Sequence, residues 1–263
     1  MKTAGVPSAR LDAELLLAHF LEKPREYLFA HPETILRKGP ILTQLNAWLE
    51  RRVKREPMAY ILGGKEFYGR TFRVTPDVLV PRPESETMIE LLKELVDSEQ
   101  LTADSSVADI GTGSGCLAIT SKLELSQLEI IAIDNSQKAL EIAKENAQTH
   151  HAEIKYLKGN LLEPLLTVNC QLSAILANLP YVDEGWDVSP ETRFEPREAL
   201  FSAEKGLELI KRLITQTTAK LQKNGFLLLE ADPRQHKEII AFAKNYQLRL
   251  HKTEDFIQVF SYS

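Results

Sequence analysis

The residues best suited to chemistry in this chain are four that follow a strongly apolar run. Residues 172–177 have the continuous hydrophobicity of a strand covered on both faces. Asn178-Leu179-Pro180-Tyr181 comes directly after them. Because Pro180 has no N–H for a sheet ladder, the strand must end before it. Ligands of open α/β sheets bind beyond the carboxyl ends of the strands, so this tetrapeptide is predicted to contribute to an active site.

A glycine-rich loop is the second candidate. Gly111-Thr112-Gly113-Ser114-Gly115 lies between a predicted strand at residues 107–110 and a predicted helix from Cys116. Its spacing is shorter than the dinucleotide fingerprint, and it lacks the Lys-Ser/Thr pair of a P-loop. Asp134 ends the next predicted strand, where an acid accepts hydrogen bonds from ribose hydroxyls. Loop and acid together predict a nucleoside-containing ligand, either a nicotinamide dinucleotide or S-adenosylmethionine.

The chemistry of the tetrapeptide favours S-adenosylmethionine. The nitrogen of an amide or aromatic amine has a delocalised lone pair, so it must be desolvated and oriented before it attacks a sulfonium methyl. The Asn178 side-chain oxygen and the Leu179 carbonyl can each accept one N–H of an NH₂ group, and the Tyr181 ring can hold the planar group. We therefore interpret the site as one for methyl transfer to a planar NH₂, with no general base required.

The elements that must position these residues predict an α/β fold. Strands alternate with helices beyond residue 101, which is typical of a doubly wound, mostly parallel sheet. The last two predicted strands have no helix between them, which predicts an antiparallel edge. The first residues show only helical periodicity and predict a small bundle. The predicted domains are a helical domain at 1–56, a β-hairpin linker at 57–76 and an α/β domain at 77–263.

Composition excludes several classes of protein. Of the 263 residues, 43% are hydrophobic and 26% charged, as in an ordinary globular protein. The net charge of −5 argues against a nucleic-acid backbone as the main partner. Two cysteines without a CxxC pattern argue against a disulfide scaffold or a zinc site, so no metal is expected. Without an apolar signal segment or a long apolar run, the expectation is a cytoplasmic protein with no membrane partner, and a monomer by default.

Two segments allow alternative interpretations. The basic run at residues 51–55 is typical either of a solvated helix C-terminus, where cations complement the helix dipole, or of a contact with an acidic or RNA-bearing partner. Arg193-Phe194-Glu195-Pro196 lies in the long segment after the tetrapeptide. It is either a surface loop anchored by Phe194 or a cover over the active site.

These motifs resemble those of the PrmC/HemK family of protein-(glutamine-N5) methyltransferases, which modify the Gly-Gly-Gln loop of peptide-chain release factors. The resemblance covers nearly the whole chain. Its most specific parts are the N-terminal helices combined with Pro81-Arg-Pro-Glu84 and Arg193-Phe-Glu-Pro196. It implies a Rossmann-like class I S-adenosylmethionine-dependent methyltransferase domain behind a helical substrate-recognition domain. It also implies release factors as protein substrates and no direct nucleic-acid substrate.

The resemblance also implies roles for individual residues. It places Arg82 and Glu84 over the methionine end of the cofactor, and the tetrapeptide at the glutamine amide as both its catalytic and its substrate-binding residues. Leu161 stands where relatives can carry an aromatic residue beside the adenine. The residues implied to bind S-adenosylmethionine are Gly111, Thr112, Gly113, Ser114, Gly115, Asp134, Asn160 and Asn178.

Leu179 is a departure inside the family motif, which is Asn-Pro-Pro-Tyr. The chemistry asks this position only for its backbone carbonyl, so leucine is compatible with activity. Leucine lacks the fixed φ of proline, so packing is expected to hold the loop in shape. Replacing Leu179 with proline is therefore predicted to leave or raise the rate.

Three alternatives stay open. N6-adenine methylation of nucleic acid uses the same logic on an exocyclic amine, but the acidic total charge and the lack of a target-recognition domain argue against it. A glutamine methyltransferase acting on a ribosomal protein is a closer variant that the sequence excludes less well. A non-catalytic S-adenosylmethionine-binding protein would explain Leu179 as a mark of decay, and the intact Asn178, Pro180, Tyr181 and Asp134 argue against it.

Overall fold

The chain divides into two compact units in a computed structural model that describes residues 1–32 and 40–263. The first unit comprises Met1–Gly64 together with Val188–Phe194. The second comprises Lys65–Asp187 and Glu195–Ser263. A short segment from late in the chain therefore belongs with the N-terminal helices.

The first unit is helical, as predicted. Leu16, Leu45 and Ile61 come from different helices and form its buried apolar cluster. The helices are α1 (Ala9–Leu21), α2 (Arg25–Ala30), α3 (Pro40–Val53) and α4 (Met58–Leu62).

The basic run at residues 51–55 forms ion pairs inside this unit. Arg52 Nε donates to Asp12 Oδ2 at 2.6 Å, and its Nη1 donates to Glu191 Oε1 at 3.0 Å. Arg55 donates to both oxygens of Glu191 at 2.8 Å. Burial opposes the ionisation of Glu191, but hydrogen bonds, led by that from Arg55, outweigh it and lower its pKa to about 2. The Arg52 and Arg55 side chains are only 6% and 17% exposed, so the expectation of a solvated helix end is wrong for both.

The second unit has α/β architecture. It begins with a two-stranded hairpin, β1 (Gly64–Phe67) and β2 (Arg70–Arg73), within the segment predicted to hold a hairpin. The strands after the hairpin are β3 (Ser106–Ile110), β4 (Glu129–Asp134), β5 (Lys155–Lys158), β6 (Leu172–Ala177), β7 (Leu221–Glu230), β8 (Leu248–Glu254) and β9 (Ile257–Tyr262). The helices are α5 (Glu86–Asp97), α6 (Cys116–Glu124), α7 (Gln137–His150), α8 (Glu163–Leu166), α9 (Ala203–Gly206), α10 (Glu208–Lys220) and α11 (Pro233–Ala243).

The main sheet is mostly parallel with an antiparallel edge, which confirms the predicted fold class. Within the described residues it has seven strands in the order β5-β4-β3-β6-β7-β9-β8. Pairs from β5 to β7 are parallel, and β9 runs antiparallel to both β7 and β8. Strand β7 begins at Leu221, earlier than the predicted residue 225, because Leu221 pairs with Leu172 across an irregularity in the ladder.

The strand order creates a switch point between β3 and β6. The chain runs outward from β3 to β4 and β5, then returns to place β6 on the other side of β3. Ile110 at the end of β3 is in register with Ala177 at the end of β6. Gly111 and Asn178 are therefore the next residues of neighbouring strands, at the position where such sheets bind ligands.

None of the helices in residues 1–32 and 40–263 has the length and apolar character of a transmembrane segment.

Candidate active site

A buried aspartate holds the glycine loop between β3 and α6. Asp109, near the end of β3, accepts hydrogen bonds from Thr112 Oγ1 at 2.6 Å and from the Ala118 amide at 3.2 Å. Burial raises the pKa of Asp109 to about 7, and these two hydrogen bonds favour its charged form. The loop is thus fixed to the first turn of α6 as well as to the strand before it.

The loop residues divide between a cavity and the protein interior. Gly111 and Gly113 line the cavity, and both have the positive φ that glycine adopts without strain, +74° and +54°. Thr112 and Ser114 are buried. Gly115 lies at the start of α6, where an added Cβ would be 3.1 Å from the Cβ of Ala143 in α7. The structure therefore brings two of the five predicted loop residues to the cavity wall, and the others fix the loop.

The cavity lies beyond the carboxyl ends of β3, β4 and β6. Leu161 and Leu209 give it apolar surface, while carboxylate and amide side chains supply polar edges. Among residues 1–32 and 40–263, no group of three or more His, Cys, Asp or Glu could hold a metal ion. The predicted site residues that line this cavity are Gly111, Gly113, Asp134, Asn160, Asn178, Leu179 and Pro180.

Asp134 has the hydrogen-bonding capacity that a ribose requires. Its Oδ2 accepts from the Gly113 amide at 2.9 Å, and its Oδ1 accepts from the Ser136 amide at 2.8 Å. Capping of α7 falls to Ser136, whose Oγ accepts from the Ala139 amide at 3.2 Å. A carboxylate has about four acceptor positions, so each oxygen of Asp134 keeps one for a ligand hydroxyl. Burial raises the pKa of Asp134, and two ligand hydroxyls would favour its charged form.

The polar and apolar parts of the cavity fit the nucleoside portion of S-adenosylmethionine. Asp134 matches the two ribose hydroxyls, Leu161 and Leu209 provide surface for the base, and the Asn160 side chain lies beside them. Leu161, at the position where relatives can carry an aromatic residue, is buried in the cavity wall. The residues present therefore suit the cofactor implied by the sequence.

A second, smaller pocket adjoins the cavity on the other side of the tetrapeptide. Asn178, Leu179 and Pro180 line both spaces, and Tyr181 lines the second only. Glu230 lies in the wall of the second pocket, together with Arg82. The tetrapeptide therefore lies at the shared edge of the cavity and of a pocket with an aromatic wall.

A hydrogen-bonded network holds the side chains of Asn178 and Tyr181. Asn178 Nδ2 donates to Ser85 Oγ at 2.9 Å, and Ser85 Oγ donates to Glu230 Oε2 at 2.6 Å. The Tyr181 hydroxyl donates to Glu230 Oε1 at 3.3 Å. One buried carboxylate thus contacts both ends of the tetrapeptide, directly or through Ser85. Burial raises the pKa of Glu230 to about 7, and it also raises that of the Tyr181 hydroxyl.

The backbone of Tyr181 is held by a second set of contacts. Gln235 Nε2, in α11, donates to the Tyr181 carbonyl and to the Lys205 carbonyl, both at 2.8 Å. Gly206 has a φ of +84°, and an added Cβ would lie 1.9 Å from the Tyr181 oxygen. Any larger residue at position 206 would therefore displace the carbonyl that Gln235 holds.

Known proteins resemble both parts of the chain. The PrmC N-terminal domain matches residues 1–63, and the methyltransferase small domain matches residues 85–192. The release factor glutamine methyltransferase of Coxiella burnetii is 43% identical over 88% of this chain and 82% of its own length. That of Vibrio cholerae is 38% identical over 88% of this chain and 79% of its own. The chain belongs to the release factor glutamine methyltransferase family. It is an S-adenosylmethionine-dependent methyltransferase, and the resemblance found in the sequence is confirmed.

Solved structures agree on the fold of this family member. A 16S rRNA N2 G1207 methyltransferase of T. thermophilus, in complex with AdoMet and guanosine, aligns with a TM-score of 0.56 at 17% identity, over 76% of this chain and 49% of that one. The ribosomal protein L11 methylase of Lactobacillus delbrueckii aligns with a TM-score of 0.51 at 20% identity, over 76% and 89%. At such identities, the likeness establishes the methyltransferase fold alone.

Leu179, the departure from the family motif, is held by packing. Its side chain is 3% exposed and belongs to the apolar core on one face of the sheet. A Cβ added to Gly111 would lie 3.2 Å from Leu179 Cδ2, so the leucine rests directly on the glycine loop. The packing expected in place of proline is therefore present.

The segment at residues 193–196 is anchored by its glutamate. Glu195 is buried, and its carboxylate accepts from Arg82 Nη2 at 2.7 Å and from the Val80 amide at 3.1 Å. Pro196 lines the cavity. Phe194 is half-buried, and the buried residue of this segment is Glu195.

Four residues of the site carried no predicted role: Ser85, Gly206, Glu230 and Gln235. Glu230 offered one signal, because it is an acid at the end of an otherwise apolar strand, β7, which neighbours β6. Ser85 directly follows Pro81-Arg-Pro-Glu84, and the family resemblance was stated on those four residues. Gly206 and Gln235 gave no local signal, because their partner is a backbone carbonyl far away in sequence.

Proposed function

We propose that this chain transfers the methyl group of S-adenosylmethionine to the side-chain amide nitrogen, N5, of the glutamine in the Gly-Gly-Gln loop of peptide-chain release factors. One observation carries the proposal: Asn178, Leu179 and Pro180 line both the cavity that suits a nucleoside and the pocket that Tyr181 lines. A planar NH₂ held at the shared edge of the two spaces would face the methyl group of a cofactor bound in the cavity. The names of the relatives in Coxiella burnetii and Vibrio cholerae support this choice of substrate.

The residues of the tetrapeptide meet the requirements of an amide nucleophile. Asn178 Oδ1 and the Leu179 carbonyl accept the two N–H groups, which orients the nitrogen, and the Tyr181 ring holds the amide plane. S-adenosylmethionine, when bound, supplies a methyl group activated by its sulfonium. Buried neighbours such as Leu179 exclude water, which strengthens these hydrogen bonds. After transfer, the nitrogen carries an acidic proton that leaves to solvent, so no general base is needed.

The proposal extends to partners and place of action. The N-terminal helices recognise the release factor, and the α/β domain carries out the transfer. The enzyme acts in the cytoplasm as a monomer, without a membrane partner and without nucleic acid as a direct substrate. The net charge of −5 supports a protein substrate over a nucleic-acid one.

The test is methyl transfer from labelled S-adenosylmethionine to a purified release factor and to its loop Gln→Ala variant. Label on the first and none on the second is the expected result. Label that survives in the Gln→Ala factor would overturn the glutamine assignment. Label on a ribosomal protein, with none on the release factor, would favour the ribosomal-protein alternative. Label on DNA alone would favour N6-adenine methylation.

An enzyme variant adds a test of the site. Asn178→Ala should abolish transfer and largely preserve cofactor binding, measured by calorimetry. Ser105→Ala is the control, because Ser105 is a buried polar residue directly before β3, at the opposite end of that strand from the glycine loop. Unchanged turnover in Asn178→Ala would remove Asn178 from its proposed role.

A further inference from the structure

We propose that Ser85 and Glu230 are positioning residues that fix the orientation of the Asn178 side-chain amide, so that its oxygen faces the substrate NH₂. The inference deepens the proposed function and rests on it, because it concerns how the same site grips a glutamine amide. Ser85 acts through Asn178, and Glu230 acts through Ser85 and Tyr181.

The geometry is that of a relay with a single direction. Asn178 Nδ2 is 2.9 Å from Ser85 Oγ, and Ser85 Oγ is 2.6 Å from Glu230 Oε2. Ser85 is 2% exposed and Glu230 is 0% exposed, so solvent does not compete for these contacts. Hydrogen bonds to a buried carboxylate are short and strong, as the second distance reflects.

Hydrogen-bond chemistry assigns the direction. A serine hydroxyl has one proton, and the Glu230 carboxylate can only accept, so that proton points to Glu230. Ser85 Oγ then has only lone pairs left for Asn178, and it must receive a donor. The donor end of a carboxamide is its NH₂, so Asn178 turns Nδ2 to Ser85 and Oδ1 away from it.

The opposite orientation would disable the site. With Nδ2 facing the pocket, the enzyme would present N–H groups to the N–H groups of the substrate amide, and neither side could accept. The orientation that Ser85 enforces gives the incoming NH₂ an acceptor and leaves the amide nitrogen free to be aligned. The serine therefore determines whether Asn178 can act at all.

Glu230 holds the aromatic wall with its other oxygen. Its Oε1 accepts from the Tyr181 hydroxyl at 3.3 Å, so the same carboxylate positions the amide and the ring. Arg82 and Glu84 are the other charged groups that act on Glu230, and Arg82 is itself paired with Glu195 at 2.7 Å. Burial raises the pKa of Glu230 to about 7, and Glu84 raises it further, while Ser85, Tyr181 and Arg82 lower it.

Protonation of Glu230 would weaken the relay. A neutral carboxyl no longer draws both hydroxyl protons, and Ser85 can turn its proton toward Asn178. Turnover should therefore rise with pH through a midpoint near 7, since the ionised form of Glu230 is the one that orients the amide. The Tyr181 hydroxyl, whose pKa is raised, stays protonated throughout this range.

Kinetics of Ser85→Ala and Glu230→Gln test the relay. Both variants should lower kcat by about 10- to 100-fold, the scale of a misplaced catalytic group, with KM for the release factor little changed. Ser85→Thr, which keeps the hydroxyl, should restore most of the loss, and Ser105→Ala should behave as the parent. Glu230→Gln should also lose the rise of kcat across neutral pH. Full kcat in Ser85→Ala with an active parent enzyme would overturn the inference.

Nuclear magnetic resonance of the Asn178 side chain supplies a readout that does not need turnover. In protein labelled with ¹⁵N-asparagine, the signal that Asn178→Ala removes identifies this amide. Its Nδ2 resonances should shift with pH around 7 in the parent and stay constant in Glu230→Gln. Absence of that shift in the parent would overturn the relay. An inactive parent that shows the shift would overturn the proposed function and leave the relay standing.

Discussion

Gly206→Ala is the sharpest test of how the tetrapeptide is held. The new methyl group would lie 1.9 Å from the Tyr181 oxygen and 2.6 Å from Gln235 Nε2. Since real Cβ atoms do not approach within 3.0 Å of other heavy atoms, the Tyr181 carbonyl must move by about 1 Å. That movement breaks the 2.8 Å hydrogen bond from Gln235 and shifts the ring that faces the substrate.

The expected size follows from two costs. A non-glycine residue in the left-handed region costs about 1–2 kcal/mol, and φ at Gly206 is +84°. Leaving the buried Gln235 donor without its partner costs about 1–3 kcal/mol. The variant should therefore lose about 2–5 kcal/mol of unfolding free energy, or about 4–20 °C in Tm for a domain of this size. A shift of about 1 Å at a reacting group can lower kcat by about 100-fold.

Gly69→Ala is the matched control for this experiment. Gly69 has a φ of +71°, but an added Cβ there would meet nothing within 4 Å. It should lose only the backbone strain of about 1–2 kcal/mol and keep its kcat. Tm is measured by thermal denaturation, and kcat by steady-state transfer of labelled methyl groups. Equal losses of Tm and kcat in the two variants would refute the reasoning.

Three further predictions follow from other contacts. Leu179→Ala should cost about 2–5 kcal/mol of unfolding free energy and lower kcat, because it removes a buried contact with the glycine loop. Leu179→Pro should leave kcat unchanged or raise it. A large loss of kcat in Leu179→Pro would show that the loop is held differently. Asp134→Asn should raise the Kd for S-adenosylmethionine about 10- to 100-fold, from about 1.5–3 kcal/mol for hydrogen bonds to a charge, and an unchanged Kd by calorimetry would contradict the fit to ribose. Glu191, with a pKa lowered to about 2, stabilises the folded state fully above its ordinary value of 4.5, and this contribution is lost as pH falls toward 2. Between pH 5 and pH 2, Tm from thermal denaturation should therefore fall less steeply in Glu191→Gln than in the parent protein. Parallel curves of Tm against pH would contradict this prediction.

The central strands and their terminal residues could be predicted from sequence because the signals are local. An apolar run that stops at Asn178 marks β6, and glycines after residues 107–110 mark the loop after β3. General rules for α/β sheets then place both at one edge. The register of Ile110 with Ala177 makes this juxtaposition exact to the residue.

The supporting residues could not be predicted in this way, because their partners are distant in sequence. Ser85 and Glu230 are 145 positions apart, and Gln235 reaches Tyr181 across 54. Whether such residues meet depends on strand order and on how α5 and α11 pack, which spacing rules do not supply. The basic run misled for the same reason, since Glu191, which pairs with Arg55, lies 136 positions away.

Glu191 also bears on how segments of the gene can be exchanged by recombination. The N-terminal helices are encoded first, but Val188–Phe194 completes their unit, and Glu191 in that segment binds Arg52 and Arg55. A gene fragment that ends at Gly64 would leave Arg55 without this carboxylate, and would leave Arg52 with Asp12 and the Glu56 carbonyl as partners. A helical unit transferred alone to another methyltransferase would therefore lose these ion pairs. An exchange that also carried Val188–Phe194 would keep them, so the two segments are expected to change together during evolution.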